Sequence, residues 1–201
     1  MLDLVVKCRR TPVSADRFMA SLGREAHVEF IPPMIVNALF VANGHRADTR
    51  LHLVFELSDD YSRILTFDGA KLGDLGGLTE SSLLEVCSRL LSAGAGLNKE
   101  GSVEVDDGLF VRAISFERWV KALVAHAPAF LLDPKGGELR DEMPLTDAVV
   151  VMTDQLQLPK NTRKGLLRMG LKPVSLGNQM LFASQCITLV HAQMDAGSAS
   201  A

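Results

Sequence analysis

The sequence predicts an α/β fold with a mostly parallel sheet. Strand-like and helix-like stretches alternate along its 201 residues, the order that builds such sheets. Two of the strand-like stretches, Leu2 to Cys8 and Ala148 to Met152, are apolar runs that read as buried strands. The length suits one domain with a sizeable core.

Leu2 to Cys8 ends in a basic pair, Arg9 and Arg10, and Ser14 can cap a short helix through Leu22. Pro32 and Pro33 stand where a helix starts, because a missing N–H costs little there. Met34 to Ala42 then reads as an apolar helix ended by Asn43-Gly44, with Asn37 inside it in a structural role. Arg50 to Leu57 is a strand, and Ser62 to Phe67 a second one paired with it. Thr79 caps a helix to about Ala93, whose core side holds Leu83, Leu84, Val86, Cys87, Leu90 and Leu91. Val103–Val105 and Leu109–Arg112 form a hairpin around Asp106-Asp107-Gly108. Ser115 caps a helix through about His126, which carries Trp119 and, on its polar side, Arg118 and Lys121.

Phe130 to Leu132 is a short strand, followed by a loop rich in glycine and charge through Pro144. After the strand Ala148 to Met152, a helix spans Asn161 to Met169. Five cations, Lys160, Arg163, Lys164, Arg168 and Lys172, lie in or around that helix without an acid. Such a run reads first as a solvated face and second as a phosphate contact. Leu171 to Val174 is a strand, and Met180 to Met194 a largely buried helix. The domain is expected to occupy residues 1–196, with a polar, disordered tail at 197–201.

Composition narrows the function. The chain is 47% hydrophobic and 22% charged, as globular proteins are. No stretch has the length of a membrane span. At the N-terminus charges follow the apolar run without a cleavage site, so no signal peptide is read there. Cys8, Cys87 and Cys186 lack metal-ligand spacing, which suits reduced thiols in a cytoplasmic protein and no metal centre. A net charge of −3 leaves any nucleic-acid contact to a local basic face. The glycines between Gly69 and Gly77 have the spacing of neither a dinucleotide fingerprint nor a phosphate loop, which argues against a nucleotide-dependent enzyme of another kind.

The chain is organised around Val174-Ser-Leu-Gly-Asn-Gln-Met-Leu-Phe-Ala-Ser-Gln-Cys-Ile187, a strand end, a tight turn and a helix. Such a turn leaves backbone N–H groups available to a polar ligand. Ser175-Leu-Gly177, Leu181, Ser184 and Cys186-Ile187 together resemble the C-terminal signature of the archaeal tRNA pseudouridine-54 N1-methyltransferases, knotted enzymes of the SPOUT superfamily. Val149 to Leu158 is similar to that family's strand followed by Gly-Asp-His-x-Gly-Leu. His45-Arg46-Ala-Asp48-Thr-Arg50-Leu-His52 is similar to its Arg-x-Asp-x-Arg-x-His segment. The resemblance spans most of the chain, and only the C-terminal string is specific.

The resemblance implies a trefoil knot, a homodimer and a cofactor, S-adenosylmethionine. The cofactor would be wrapped by Leu132, Thr153, the turn Ser175, Leu176, Gly177, Asn178, Gln179 and Met180, and Cys186. It implies methyl transfer to N1 of pseudouridine in RNA, with tRNA as the substrate class. Asp48 would orient the base or accept its proton, and Arg46 and Arg50 would hold phosphates. Thr153 stands where the family has glycine, and Gln155 and Gln185 where it has histidine. A glycine site with positive φ would strain threonine. The competing reading is a catalytically silent SPOUT-fold protein that binds RNA or a partner.

Overall fold

The computed structural model describes residues 1–143, 145 and 147–198, with the backbone alone at 198. In chain order the elements are β1 (Leu2–Pro12), α1 (Ala15–Met19), α2 (Ile31–Leu39), β2 (Phe40–Val41), β3 (Gly44–His45), β4 (Thr49–Leu57), β5 (Arg63–Asp68) and α3 (Glu80–Ala93). There follow β6 (Ser102–Asp106), β7 (Leu109–Ala113), α4 (Phe116–Val124), β8 (Ala129–Glu138), β9 (Ala148–Thr153), α5 (Lys160–Arg168), β10 (Lys172–Ser175) and α6 (Ala183–Ser198).

Eight strands form one sheet in the order β10-β8-β9-β1-β4-β5-β7-β6. The first five are mutually parallel, and β5, β7 and β6 extend the sheet antiparallel. Alternation along β1 divides it between two cores. Leu2, Leu4, Val6 and Cys8 face the larger core, with Ile35 and Leu39 of α2, Leu83 and Leu90 of α3, and Ile187 and Val190 of α6. Val5 faces the smaller one, with Phe116 and Val120 of α4 and Leu166 of α5. Thr79 and Ser115 cap α3 and α4 through their side chains, as their spacing predicts.

β1 runs on to Pro12 rather than ending at Cys8, and α1 ends at Met19 rather than Leu22, with no side-chain cap from Ser14. Three further boundaries differ from the sequence expectation nearer the site. The second helix ends at Leu39 rather than Ala42, because Phe40 and Val41 pair with His45 and Gly44 across a two-residue turn. Apolar periodicity does not separate a last helical turn from a short strand. The segment after Leu132 is not all loop. In β8 Leu131 faces Pro173 and then Gly137 faces Val174, so residues 132–136 bow out between two stretches of pairing with β10. A Cβ on Gly136 would lie 2.4 Å from Val174 N; only glycine lets the returning strand approach. Finally, α6 starts at Ala183 and includes Gly197 and Ser198 in its last turn. Pro144, and the tail residues 199–201, lie outside the described residues.

α6 leaves the sheet edge at β10 and returns to lie against α2. Asn37 Nδ2 donates to the Ser184 carbonyl at 3.0 Å. His191 Nε2 donates to the Ala38 carbonyl at 3.0 Å. Arg46 donates through both terminal nitrogens to Asp195, at 2.9 and 2.6 Å. The role of Asn37 is structural.

The α4 side of the sheet carries a buried polar chain. Asp3 Oδ1 lies 2.9 Å from His52 Nε2, and Asp3 Oδ2 accepts from Arg50 at 2.8 Å. His52 Nδ1 lies 2.9 Å from Thr66 Oγ1, which also accepts from Arg112 at 2.9 Å. One proton assignment satisfies all of them: Arg112 donates to Thr66, Thr66 to His52 Nδ1, and His52 Nε2–H to Asp3. Burial favours neutral His52 and lowers its pKa, against the opposing pull of Asp3. Burial would raise the Asp3 carboxyl, but His52 and Arg50 outweigh it and hold the pKa below the usual range.

Both shifts destabilise the fold in acid. A histidine whose pKa is lowered on folding takes up its proton more readily when unfolded, so stability falls as the pH drops below the ordinary value of 6.5. The Asp3 contribution is present above the unfolded pKa and is lost as pH falls through the lower folded one. We expect His52→Gln to destabilise the protein at pH 7 by roughly 1–3 kcal/mol. The gap to wild type should narrow between about pH 7 and 5, measured by urea denaturation. A gap independent of pH would show that His52 is not held neutral by the fold.

Candidate active site

Parallel pairing brings three strand ends together. Leu131 is level with Val151 of β9 and with Pro173 of β10. Leu132, Thr153 and Ser175 therefore emerge at the same end of the sheet, within about 10 Å across three strands. The loops after them are the bow at 132–136, the segment 154–159 and the turn 176–182.

Leu132, Leu176 and Cys186 are half-buried and pack against the larger core. Burial pushes the Cys186 thiol pKa up, so it is a small apolar neighbour rather than a nucleophile. Ser175 is buried, and its hydroxyl accepts from Gly177 N and donates to Gly177 O, both at 3.1 Å. Gly177 has φ +116°, with open space where a side chain would stand. Beyond it, Asn178, Gln179 and Met180 are exposed, and Met180 is 72% accessible. The backbone of residues 178–181 makes no hydrogen bond to any described residue. An open glycine turn with uncommitted N–H and C=O groups fits the binding of a polar heterocycle. Beside it Phe30, Pro33, Met34, Gln155, Phe182, Ala183 and Ser184 line a cleft of about 190 Å³.

Thr153 closes β9 without a positive φ, so threonine is unstrained there. The bow is braced by Asp133, which accepts from Lys135 N at 2.9 Å and pairs with Arg163 of α5. Burial would raise the Asp133 pKa, but these two partners outweigh it and lower it.

Asp154 is the group at this end that the sequence reading passed over. It follows Thr153, its N–H donates to the Lys7 carbonyl at 3.2 Å, and its Oδ1 accepts from Leu156 N at 2.9 Å. Burial, helped by the charge of Glu56, raises its pKa to about 6 despite Leu156 N–H and Arg9. Glu56 itself pairs with buried Lys7. An acidic residue next to a family-like strand end was the available signal; its burial was not visible.

Arg46, Asp48 and Arg50 lie elsewhere. Leu2 is level with both Thr49 and Ala148. Asp48 is therefore at the opposite end of the strands, six residues or about 20 Å below the level of Thr153. Its side chain is exposed and accepts from Thr49 Oγ1 at 3.3 Å. Arg46, whose side chain is 19% accessible, is committed to Asp195. Arg50 is 35% accessible, and its Nε lies 2.7 Å from Asp3 Oδ1, close enough for the charges to attract although not aligned as a hydrogen bond. One chain thus assembles the turn residues but does not bring Asp48, Arg46 or Arg50 to them. Among the described residues no group of three or more His, Cys, Asp or Glu side chains is placed to hold a metal ion, and no helix is long and apolar enough to cross a membrane.

Comparison with known proteins identifies the family and the fold. Proteins named "putative pseudouridine methyltransferase" from Vibrio parahaemolyticus and Vibrio cholerae are 37% and 35% identical to the chain, each over 97% of it and over 98% and 97% of their own lengths. The crystal structure of Archaeoglobus fulgidus Nep1 bound to S-adenosylhomocysteine covers 98% of both chains at a TM-score of 0.66 and 12% identity, a likeness of fold. A family model described as "putative SAM-dependent RNA methyltransferase" matches residues 1–199, and the chain belongs to that family.

Proposed function

We propose that this chain transfers a methyl group from S-adenosylmethionine to N1 of a pseudouridine in RNA, with tRNA the expected substrate class. The observation that carries the reading is the uncommitted backbone of residues 178–181, set beside the ends of β8 and β9 in a chain of this family. The curated relatives' names favour pseudouridine as the acceptor. A silent, RNA-binding protein would have no reason to keep that turn open.

The cofactor, when bound, supplies an electrophilic methyl carbon. The backbone of Leu176 to Met180 would bind its polar edges, while Leu132, Leu176 and Cys186 offer apolar contact. The chain's remaining task is to align the acceptor nitrogen, exclude water and take up the N1 proton. Asp48 is assigned the last role, directly or through water, with Arg46 and Arg50 near the phosphates. Because Asp48 is remote from the turn in its own chain, it would act on the cofactor site of a second copy. The outward side of α6 and its approach support a homodimer: Phe182 and Leu189 are 53% and 37% accessible, and the small residues Ala192 and Ala196 are exposed. A trefoil knot, with the last segment threaded through a loop, and a cytoplasmic location complete the reading. Buried unpaired Cys8 and Cys87 suit a reducing compartment.

Calorimetric titration with S-adenosylhomocysteine should show saturable binding near one per chain, and Gly177→Val should abolish it, since φ +116° excludes a branched side chain. No binding by folded wild-type protein would leave the silent alternative. Asp48→Ala should lose methyl transfer while keeping cofactor affinity. Mixing Asp48→Ala with Gly177→Val after subunit exchange should restore about a quarter of the activity, because half the dimers carry one complete site. No recovery would exclude the role across subunits. Asp154→Asn keeps the acceptor for Leu156 N but removes a charge the fold disfavours. A carboxyl whose pKa rises to about 6 on folding destabilises as pH rises through that value. The variant should therefore gain melting temperature relative to wild type at pH 7 and lose that gain near pH 4; equal melting curves at both would show that Asp154 is not buried as described.

A further inference from the structure

The exposed face of α5 carries three cations in a line. Lys160, Lys164 and Arg168 are all exposed, four residues apart. Four residues advance a helix by about 6 Å on one face, comparable to the separation of successive phosphates along a nucleic-acid backbone. Arg163 is turned inward to Asp133, and the helix contains no acid.

These three cations form no ion pair or hydrogen bond with any described residue. Elsewhere on the surface Arg10, Arg17, Arg89, Arg118 and Arg140 each pair with a carboxylate; Arg24, Lys99 and Lys121 are exposed and without an ion pair among the described residues, but they stand singly rather than in a row along one helix. Like charges at i, i+4 destabilise a helix. This one has few local supports, with no side-chain cap at Pro159 and with Gly165 in its interior. A chain of net charge −3 therefore concentrates unpaired positive charge on a helix that it does not stabilise, and a polyanion would relieve the repulsion. The position is also telling. α5 begins directly after the 154–159 loop at the open turn's end of the sheet, and Arg9 reaches that loop through the Gln157 carbonyl at 3.4 Å.

We propose that the outer face of α5 is a docking ladder for the RNA backbone, in which Lys160, Lys164 and Arg168 each hold a phosphate and lead the strand to the open turn. The proposed methyltransferase function identifies the polyanion as RNA; the ladder itself rests on the charges and their spacing. Contacts of this kind position the substrate without reading its sequence.

The test compares two triple variants by fluorescence anisotropy, using a labelled RNA hairpin with pseudouridine in its loop. One is Lys160→Gln, Lys164→Gln, Arg168→Gln. The other, Arg89→Gln, Lys99→Gln, Arg118→Gln, removes the same charge around β6 and β7 at the far edge of the sheet. Melting curves verify that both fold. The first triple should weaken hairpin binding about tenfold or more, and the slope of log K against log salt should become shallower by about 2. The second should bind like wild type, and both should keep their affinity for S-adenosylhomocysteine. Equal loss in both triples, no loss in the first, or a wild type that binds anionic vesicles but no hairpin would overturn the ladder. Hairpin binding that needs the ladder in a protein without cofactor affinity would overturn the methyltransferase reading and leave the ladder standing.

Discussion

The parallel pairing of β10, β8 and β9 is the constraint on which the rest depends. Parallel strands share one direction, so their C-terminal ends and the loops that follow must lie together. No side chain has to reach far to build the candidate site; three successive loops arrive there by topology. The contact that permits it is narrow. β10 closes on β8 in two short stretches, and Gly136 gives the returning backbone the room to make the second. From that edge α6 crosses back to α2, where Asn37, Ala38 and Arg46 receive it. The turn between β10 and α6 is thereby held at both ends and left open in the middle.

The same topology separates the two groups of candidate residues. Strand starts lie at one end and strand ends at the other, so Asp48 and the 175–180 turn face apart within a chain. The proposed homodimer would unite these surfaces across a two-fold axis. The ionisable groups follow a similar division. At the strand starts, Asp3, Arg50, His52, Thr66 and Arg112 are joined by hydrogen bonds that leave only Arg50 Nε without an aligned partner among them. At the strand ends, Asp154 remains a carboxyl whose burial is poorly compensated. Connected networks of this kind define a structure, whereas an under-compensated acid in an open region is the more usual mark of a working site.

Much of the fold was legible because its signals are local. The apolar runs of β1 and β9, the caps Thr79 and Ser115, and the hairpin at Gly108 each depend on a few neighbouring residues. The end of α2 and the length of β8 were not legible, since both depend on strand partners distant in sequence or on turn pairing that apolar periodicity does not encode. The turn residues 175–180 could be named from their string. Asp3 could have been noticed as a carboxylate within an apolar strand, but nothing local names His52 as its partner.

The sequence by itself determined the candidate turn residues, the alternation of strands and helices, and the family, because these reside in composition, periodicity and motif. Only the tertiary structure decided which of those residues meet. It placed Asp48 about 20 Å from the turn along the strand direction, committed Arg46 and Arg50 to carboxylates, and left Lys160, Lys164 and Arg168 without partners among the described residues. The reason is physical: a side chain's charge is written in the chain, but its neutralisation depends on what the register of distant strands and the return of a distant helix bring within a few ångströms.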